Sequence, residues 1–332
     1  MKRRAFVVFA RPGRALMRIS MDETVLAITQ VMIKLFLILI LGFVLNKVGI
    51  FDGNTNKKMS ELIVKVTAPC LVLTSVLESS ADNRMGVLVM LGGGFVMYVC
   101  FIIFGKLISL LPFFPKEDKS AYECMCVFSN NAFMGYPVLQ AFLGKITIFY
   151  AAMINFSFNI FIYTYAVNIF SKSSGKKAVE NEEPLWKKVL TPGLILTVIS
   201  LIVYLSGFRT DGVLYETVSM VGSVTSPLSM LVLGSSLALY PLKKSLLDWR
   251  SYIFSAIRLI AIPLISFGIC KAIGVDELVS KIILITNAMP VASMVLMIAT
   301  LYDGSSETVV KNIIVTTMLS VITIPLLVML VL

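Results

Sequence analysis

Residues Ser129–Val138 read SNNAFMGYPV and lie inside a long apolar segment of the chain. A proline removes a backbone donor and clashes with the preceding helical turn, and a glycine tolerates dihedral angles that other residues resist. Gly135 and Pro137, with the amides of Asn130 and Asn131 just before them, therefore predict that a helix is interrupted here.

The composition of the whole chain indicates where such a helix lies. Of 332 residues, 58% are hydrophobic and 14% are charged, whereas a soluble domain averages about 45–50% and about 25%. Apolar runs long enough to cross a bilayer, roughly 20 residues each, recur from end to end. The sequence therefore predicts an all-α membrane protein with the lipid bilayer as its surroundings.

Composition also excludes several classes of function. The net charge is +10, but the basic residues gather in short connections between apolar runs, which argues against nucleic acid as a partner. The chain has no histidine, and of its five cysteines the pair Cys124 and Cys126 lacks the second pair that a zinc site needs. We expect no enzyme, no catalytic residue, no bound metal, and no cofactor beyond a coupling Na⁺ or H⁺.

Ten apolar segments are assigned as membrane spans. Their connections are short, except for one polar stretch over 172–187 that we interpret as a cytoplasmic linker. The spans cover 24–46, 57–79, 86–111, 120–143, 145–171, 188–207, 213–240, 249–274, 278–301 and 307–331.

The basic residues predict how the spans are oriented, because Lys and Arg favour cytoplasmic loops. Connections after odd-numbered spans carry fourteen of them: Lys47, Lys57, Lys58, Lys116, Lys119, Lys172, Lys176, Lys177, Lys187, Lys188, Lys243, Lys244, Arg250 and Lys311. Connections after even-numbered spans carry five: Arg84, Lys145, Arg209, Lys271 and Lys281. We expect the odd connections to be cytoplasmic and both termini extracytoplasmic.

Residues 1–20 disagree with this orientation, because they place six basic residues on the predicted outer side. Two interpretations are open. The segment holds the N-terminus inside and imposes another topology, or translation begins at Met21 and the segment precedes the true start. We favour the second interpretation.

The two halves of the chain resemble each other. Three pairs of stretches match at offsets of 158, 158 and 156 positions: Gly49–Gly53 with Gly207–Gly212, Val66–Pro69 with Val224–Pro227, and Asn131–Ala132 with Asn287–Ala288. Each half holds five spans, so the second half enters the membrane from the opposite side, an inverted repeat typical of secondary transporters. The expected organisation is an extension over 1–20, a first repeat over 21–171, the linker over 172–187 and a second repeat over 188–332.

The ninth span carries a counterpart of the opening stretch, since Ile285–Pro290 reads ITNAMP. Backbone groups freed inside a membrane must face protein or a water-filled cavity. The half-helix after each break points its N–H groups and positive dipole end into the gap, and asparagine amides add hydrogen-bonding groups without the cost of burying a full charge. A small organic anion such as a carboxylate fits this chemistry, and so does a Na⁺ ion held by carbonyl oxygens.

The predicted substrate-binding residues are Asn130, Asn131, Gly135, Pro137, Thr286, Asn287 and Pro290. A second interpretation is that the prolines only kink the helices and the amides only join neighbouring helices. Matching interruptions in both halves favour a binding site. For Pro69 and Pro227, which lack neighbouring asparagines, we favour a kink over ligand contact.

Charged residues within or near spans are costly and need a reason. Glu123, seven positions before Asn130, is either a site of proton or ion coupling or an interfacial carboxylate. Lys34, Lys65 and Arg258 each either attract an anion, pair with a carboxylate or extend to the membrane surface. We favour the last for Lys65 and leave the other two open.

The segment Asn130–Pro137 resembles the asparagine–glycine–proline motif in the fourth helix of the auxin efflux carrier family, part of the bile acid/auxin-type transporter superfamily. Val66–Pro69 and Asn287–Pro290 lie where that family has proline-containing helices, and Met21 onward looks like the start of a bacterial member. The resemblance covers about 21–332. It implies ten helices in two inverted five-helix repeats, a scaffold of spans 1, 2, 6 and 7, and a mobile transport domain of spans 3–5 and 8–10. Interrupted helices 4 and 9 would cross at the substrate site.

The resemblance also implies a function. Members move organic anions, auxin in plants and dicarboxylates such as malate or malonate in bacteria, and plant members are dimers, which implies a homodimer through scaffold helices. The short central connection departs from the plant carriers, so auxin is not carried over as the substrate. The chain looks like a prokaryotic member, which implies a bacterial cytoplasmic membrane. We expect a secondary transporter of small organic anions that works by alternating access of the elevator type. The alternatives are a channel or uniporter of the same fold, or a sodium-coupled symporter of an organic acid.

Overall fold

A computed structural model gives the architecture of the chain. It describes residues 6–7, 18–19, 21–77, 84–174, 192–208, 210, 212–240, 245–302 and 305–331. Most of the predicted linker, the start of the predicted sixth span and most of residues 1–20 lie outside the described residues. The expectations for Lys176, Lys177 and the C-terminal residue Leu332 also fall there.

Helices account for nearly all of the described residues. They are α1 (Met21–Lys47), α2 (Gly53–Leu62), α3 (Ala68–Leu77), α4 (Arg84–Ser109), α5 (Lys119–Val127), α6 (Tyr136–Leu143), α7 (Ile146–Phe161), α8 (Val167–Ser174), α9 (Pro192–Ser206), α10 (Val213–Ser223), α11 (Thr225–Ala238), α12 (Trp249–Ala256), α13 (Ile262–Ala272), α14 (Glu277–Asn287), α15 (Ser293–Leu301) and α16 (Ser306–Val331). Two short strands, β1 (Phe6–Val7) and β2 (Arg18–Ile19), pair antiparallel.

Six helical stretches in the described part of the chain are long and apolar enough to cross a membrane. They are Gly53–Leu77, Met85–Ser109, Ile146–Ser173, Val213–Ala238, Trp249–Ala272 and Ser306–Leu330. They coincide with the second, third, fifth, seventh, eighth and tenth predicted spans. The expectation of a multi-pass, all-helical membrane protein is therefore confirmed at this level.

π-helical turns widen several of these stretches, and prolines explain most of them. Three of the π-helical turns end two residues before a proline: Ile63–Thr67 before Pro69, Asn131–Gly135 before Pro137, and Ile257–Ala261 before Pro263. A proline has no N–H for the carbonyl four residues earlier, and its ring clashes with that carbonyl. The wider turn relieves the clash and leaves backbone groups less regularly paired, as is frequent at functional sites.

Helices α1 and α11 pack backbone to backbone through two glycines. A Cβ atom on Gly234 would lie 1.8 Å from the carbonyl oxygen of Leu39, and one on Gly42 would lie 2.1 Å from that of Leu231. No side chain larger than hydrogen fits at either position without moving a helix. This close approach allows many weak contacts between the two helices.

The direction of α1 relative to α11 follows from two hydrogen bonds near their C-terminal ends. Asn46 Nδ2 donates to Ser235 Oγ at 3.1 Å, and Lys47 Nζ donates to the Ala238 carbonyl at 2.9 Å. One turn earlier Gly42 meets Leu231, and because the step from 42 to 46 matches the step from 231 to 235, the helices run parallel. Helix α3 packs against α9 and α10, so α1, α2, α3, α9, α10 and α11 form one group.

The remaining long helices form a second group. Helix α4 packs against α5 and α7, α12 against α16, and α13 against α14. Tyr98 of α4 stacks on Phe128 with ring centroids 6.0 Å apart and on Phe161 with centroids 5.7 Å apart. This aromatic cluster fills the space behind the chain segment that joins α5 to α6.

Candidate functional site

Two helices end in the interior of the molecule, and the segments that follow them meet. Helix α5 ends at Val127 and α14 ends at Asn287. The residues beyond them leave the α-helical conformation and pair as an antiparallel bridge between Ser129 and Val291. We call these segments, Phe128–Asn130 and Ala288–Ala292, the paired breaks.

Two backbone hydrogen bonds hold the paired breaks together. The Asn130 N–H donates to the Pro290 carbonyl at 2.8 Å, and the Ala292 N–H donates to the Phe128 carbonyl at 3.0 Å. Both donors and both acceptors are buried, where an unpaired backbone group is costly. Each break therefore supplies a hydrogen-bond partner to a backbone group of the other. Without that partner, a buried N–H and a buried carbonyl would be left unpaired in each case.

A cavity of about 120 Å³ lies beside the paired breaks, and a single water needs only about 10–15 Å³ of it. Its walls come from the first break, α3, α7, α9 and the start of α15. Its polar lining residues are Ser129, Asn130, Asn131, Tyr136, Asn155, Asn159, Tyr163, Thr197 and Ser293. None of the described lining residues is acidic or basic, so neutral groups would have to bind any ligand held there.

The first turn of α15 faces this cavity, because Ala292, Ser293 and Met294 all line it. The first N–H groups of a helix have no partner within the helix, and they carry the positive end of its dipole. Asn130 also lines the cavity, and its Nδ2 atom is a buried donor without a hydrogen-bond partner. Both features favour a negatively charged ligand group.

The neighbouring asparagine, Asn131, is already held in place. Its Oδ1 accepts a hydrogen bond from Ser129 Oγ at 2.7 Å, and its Nδ2 donates to the Tyr98 hydroxyl at 3.3 Å. A further side-chain hydrogen bond joins Tyr136 to Asn155 on α7. These bonds fix the shape of the cavity wall around Asn130.

The predicted binding residues divide into two sets. Asn130 and Asn131 line the cavity; Gly135, Pro137, Thr286, Asn287 and Pro290 are buried nearby but do not line it. Pro290 contributes its carbonyl to the bond with Asn130. The Thr286 hydroxyl donates to the Ile282 carbonyl of its own helix at 2.6 Å.

Asn287 lies outside the cavity lining and bonds to helix α13 and to the π-helical turn before it. Its Nδ2 donates to Ser266 Oγ of α13 at 3.0 Å, and its backbone carbonyl accepts from Arg258 Nη1 at 2.7 Å. Arg258 is fully buried, so it does not extend to the membrane surface. Lys65, by contrast, is exposed and pairs with Glu61 at 3.3 Å.

Glu123 also lies away from the cavity. Its carboxylate accepts a hydrogen bond from the Tyr165 hydroxyl, and Lys106 lies 5.9 Å from the centroid of the Tyr165 ring. Helix α4 approaches here through Gly105, since a Cβ atom at that position would lie 2.9 Å from the Glu123 carbonyl oxygen. The carboxylate is therefore part of a half-buried polar cluster between α4, α5 and the π-helical turn after α7.

Sequence reasoning did not single out the polar face of α7. Asn155, Asn159 and Tyr163 line the cavity at a spacing of four residues, which places them on one face of a helix. Polar residues four positions apart in an otherwise apolar span are the sequence signal that could have identified this face. Pro69 also lines the cavity, although the sequence alone favours a kink over ligand contact there.

Comparison with known proteins agrees with a role in transport. The family described as "membrane transport protein" matches residues 27–328. An uncharacterized transporter of Methanocaldococcus jannaschii is 25% identical over 306 residues, which is 89% of this chain and 96% of that protein. An uncharacterized transporter of Methanothermobacter thermautotrophicus is 20% identical over 305 residues, with 90% and 96% coverage.

Proposed function

Because this chain belongs to the membrane transport protein family, of the auxin efflux carrier type, we propose that it is a secondary transporter of small organic anions. The substrates are carboxylates or dicarboxylates such as malonate or malate. One observation carries the proposal: the cavity at the paired breaks combines the unpartnered Asn130 amide and the N-terminus of α15 with walls that contain no described acidic residue. Such a site attracts an anion and offers no counter-charge to an organic cation.

The neutral lining also suits transport. A hydrogen bond to a charged group contributes roughly 1.5–3 kcal/mol, so a few donors hold a carboxylate firmly enough to select it. A carboxylate paired directly with a lysine or arginine in a dry cavity would be released more slowly, because attraction between full charges is strong there. Amides and helix N-termini bind the substrate and still allow it to leave on either side.

We further propose ten spans in two inverted repeats, with helices 4 and 9 interrupted at the paired breaks. In this assignment spans 1 and 7 are both odd and must run parallel, as α1 and α11 do. The repeat offset of 158 relates Gly49 to Gly207, and both have a left-handed backbone, with φ of 81° and 71°, just after a helix. The same turn closes the first span of each half.

Contacts between connections support the same topology. The Lys145 side chain, after the fourth span, contacts Tyr215 and Ser219 at the start of the seventh. Thr308 Oγ1, at the start of the tenth span, donates to Asp118 of the third connection at 2.8 Å. Connections that follow even-numbered spans therefore contact each other, and so do connections that follow odd-numbered spans. We place the odd connections in the cytoplasm and both termini outside a prokaryotic cytoplasmic membrane.

The mechanism we propose is alternating access of the elevator type. Spans 1, 2, 6 and 7 form the scaffold, and spans 3–5 and 8–10 form the transport domain. The cavity lies between them, since Pro69 and Thr197 belong to scaffold spans and Asn130 and Asn155 to the transport domain. Movement of one group past the other would carry the cavity across the membrane. We also propose a homodimer through the scaffold, and Glu123 as the site if protons are coupled.

Counterflow in proteoliposomes tests the function. Vesicles loaded with unlabelled malonate or malate should take up the labelled acid against its gradient, because exchange requires a carrier with a substrate site. The same vesicles loaded with a neutral sugar alcohol are the control. A channel of the same fold would give no counterflow, and an absence of any carboxylate flux would contradict the proposal.

A further inference from the structure

Arg258 is the one fully buried guanidinium in the described part of the chain. It lies in the π-helical turn Ile257–Ala261 that precedes Pro263. Its Nη1 donates to the Asn287 carbonyl at 2.7 Å, whereas Nε and Nη2 have no hydrogen-bond partner. These two atoms form one edge of the guanidinium fork, the edge that commonly binds carboxylates.

A buried guanidinium in this condition is costly. Removing a charge from water is strongly unfavourable unless it is paired and hydrogen-bonded, and no described carboxylate lies within ion-pairing distance of Arg258. The groups close enough to interact with it electrostatically are Tyr98 and Cys126, which are uncharged in their ordinary states. Its positive charge is therefore not cancelled, and an uncancelled charge inside a membrane domain indicates a functional role.

The charge lies next to the second break. Arg258 binds the last residue of α14, Asn287, and the second break follows immediately. Just after the first break, Asn131 lines the cavity and donates a hydrogen bond to Tyr98. Arg258, Tyr98 and Asn287 all lie outside the cavity lining, so the guanidinium does not contact the cavity.

On the basis of the proposed function, we propose that Arg258 is the resident cation of the anion site. Its charge stabilises a carboxylate bound beside the paired breaks, so binding needs no metal cation. In interrupted membrane helices, carbonyls at the C-terminal end of a half-helix are the groups that coordinate Na⁺. Here the carbonyl at the end of α14, that of Asn287, accepts a hydrogen bond from the guanidinium of Arg258. The fixed guanidinium therefore supplies the positive charge that a coupling ion would otherwise supply.

The test measures malonate and malate affinity of the purified full chain by thermal shift and calorimetry, in sodium and in N-methylglucamine buffers. The wild type should bind equally in both. Arg258→Gln should weaken binding at least about tenfold, equivalent to about 1.4 kcal/mol. Arg258→Lys keeps the charge and should lose less than about threefold, because attraction without contact depends on charge more than on geometry. Lys271→Gln removes an exposed charge from the same span and should bind like the wild type.

Each outcome decides a separate point. Binding only in sodium buffer would overturn the resident-cation role and favour a sodium symporter. Equal losses in Arg258→Gln and Arg258→Lys would also overturn it, because the fork and not the charge would matter. Wild-type protein that binds no carboxylate in either buffer would instead overturn the proposed function. The melting temperature without ligand identifies any variant that does not fold. If Arg258→Gln does not fold, the affinity of Arg258→Lys is compared with that of the wild type.

Discussion

Asn130 and Asn131 are adjacent in sequence but have different partners in the structure. Asn130 lines the cavity and its buried Nδ2 has no hydrogen-bond partner, whereas the Asn131 amide is bonded to Ser129 and Tyr98. A ligand can use the first amide without breaking an internal bond. The second amide mainly maintains the wall.

We expect Asn130→Ala to weaken malonate binding about 10- to 100-fold, since a hydrogen bond to a charged group contributes roughly 1.5–3 kcal/mol. Its melting temperature should stay near that of the wild type, because the Nδ2 of Asn130 has no partner to lose. Asn131→Ala should weaken binding and also lower the melting temperature, as Ser129 and Tyr98 each lose a buried partner. Both quantities are to be measured on the same purified variants.

The variant Asn287→Ala distinguishes an amide that binds ligand from an amide that only joins neighbouring helices. Its amide bonds Ser266 and lies outside the cavity lining, so its loss should lower the melting temperature more than the affinity. If Asn130→Ala also lowered only the melting temperature, the amides would join helices and the cavity would not be the binding site.

At this scale the sequence predicts which residue types form the site but not which way they face. Asn130, Asn131 and Asn287 carry the same amide, and only tertiary packing decides that the first two reach the cavity and the third reaches Ser266. The burial of Arg258 is of the same kind, because an arginine in an apolar span can extend outward or turn inward.

Among the elements, α1 and α11 make the closest contact described. We expect Gly234→Ala to destabilise the protein by about 1–3 kcal/mol, the usual cost of overpacking, because its methyl group would meet the Leu39 carbonyl at 1.8 Å. Gly92→Ala in α4 is the matched control: nothing lies within 4 Å of its Cβ position, and alanine favours helix. Its melting temperature in detergent should equal or exceed that of the wild type, and a similar fall in both variants would contradict the packing argument.

The bounds of the helices are more predictable from the sequence than the directions of the side chains. Apolar length alone places the helices 84–109 and 249–272 within a few residues of the assigned 86–111 and 249–274. Three of the π-helical turns end two residues before a proline, so they too have a local cause. The contact between α1 and α11 has no local signal, because a glycine in a span is compatible with a close crossing, a kink or neither.

At the scale of the whole molecule, the cavity lies between two groups of helices that pack mainly within themselves. The family resemblance implies such a division, with spans 1, 2, 6 and 7 in one group and spans 3–5 and 8–10 in the other. Sequence does not predict which surfaces slide, because sliding depends on contacts between distant residues. One such contact joins Lys145, after the fourth predicted span, to Ser219 in the seventh, with Nζ and Oγ 3.3 Å apart.

Linking these two residues tests whether the groups move. In a cysteine-free background, Lys145→Cys with Ser219→Cys is joined by a short bifunctional methanethiosulfonate, and malonate counterflow is measured before and after reduction. We expect the link to stop counterflow and reduction to restore it, because the proposed transport domain could then no longer slide along the proposed scaffold. Asn46→Cys with Ser235→Cys links α1 to α11 within the scaffold, where the side chains are 3.1 Å apart, and should leave counterflow intact. Full counterflow with the first pair linked would mean that the substrate crosses without relative movement of the two groups, as a channel or a local gate would allow.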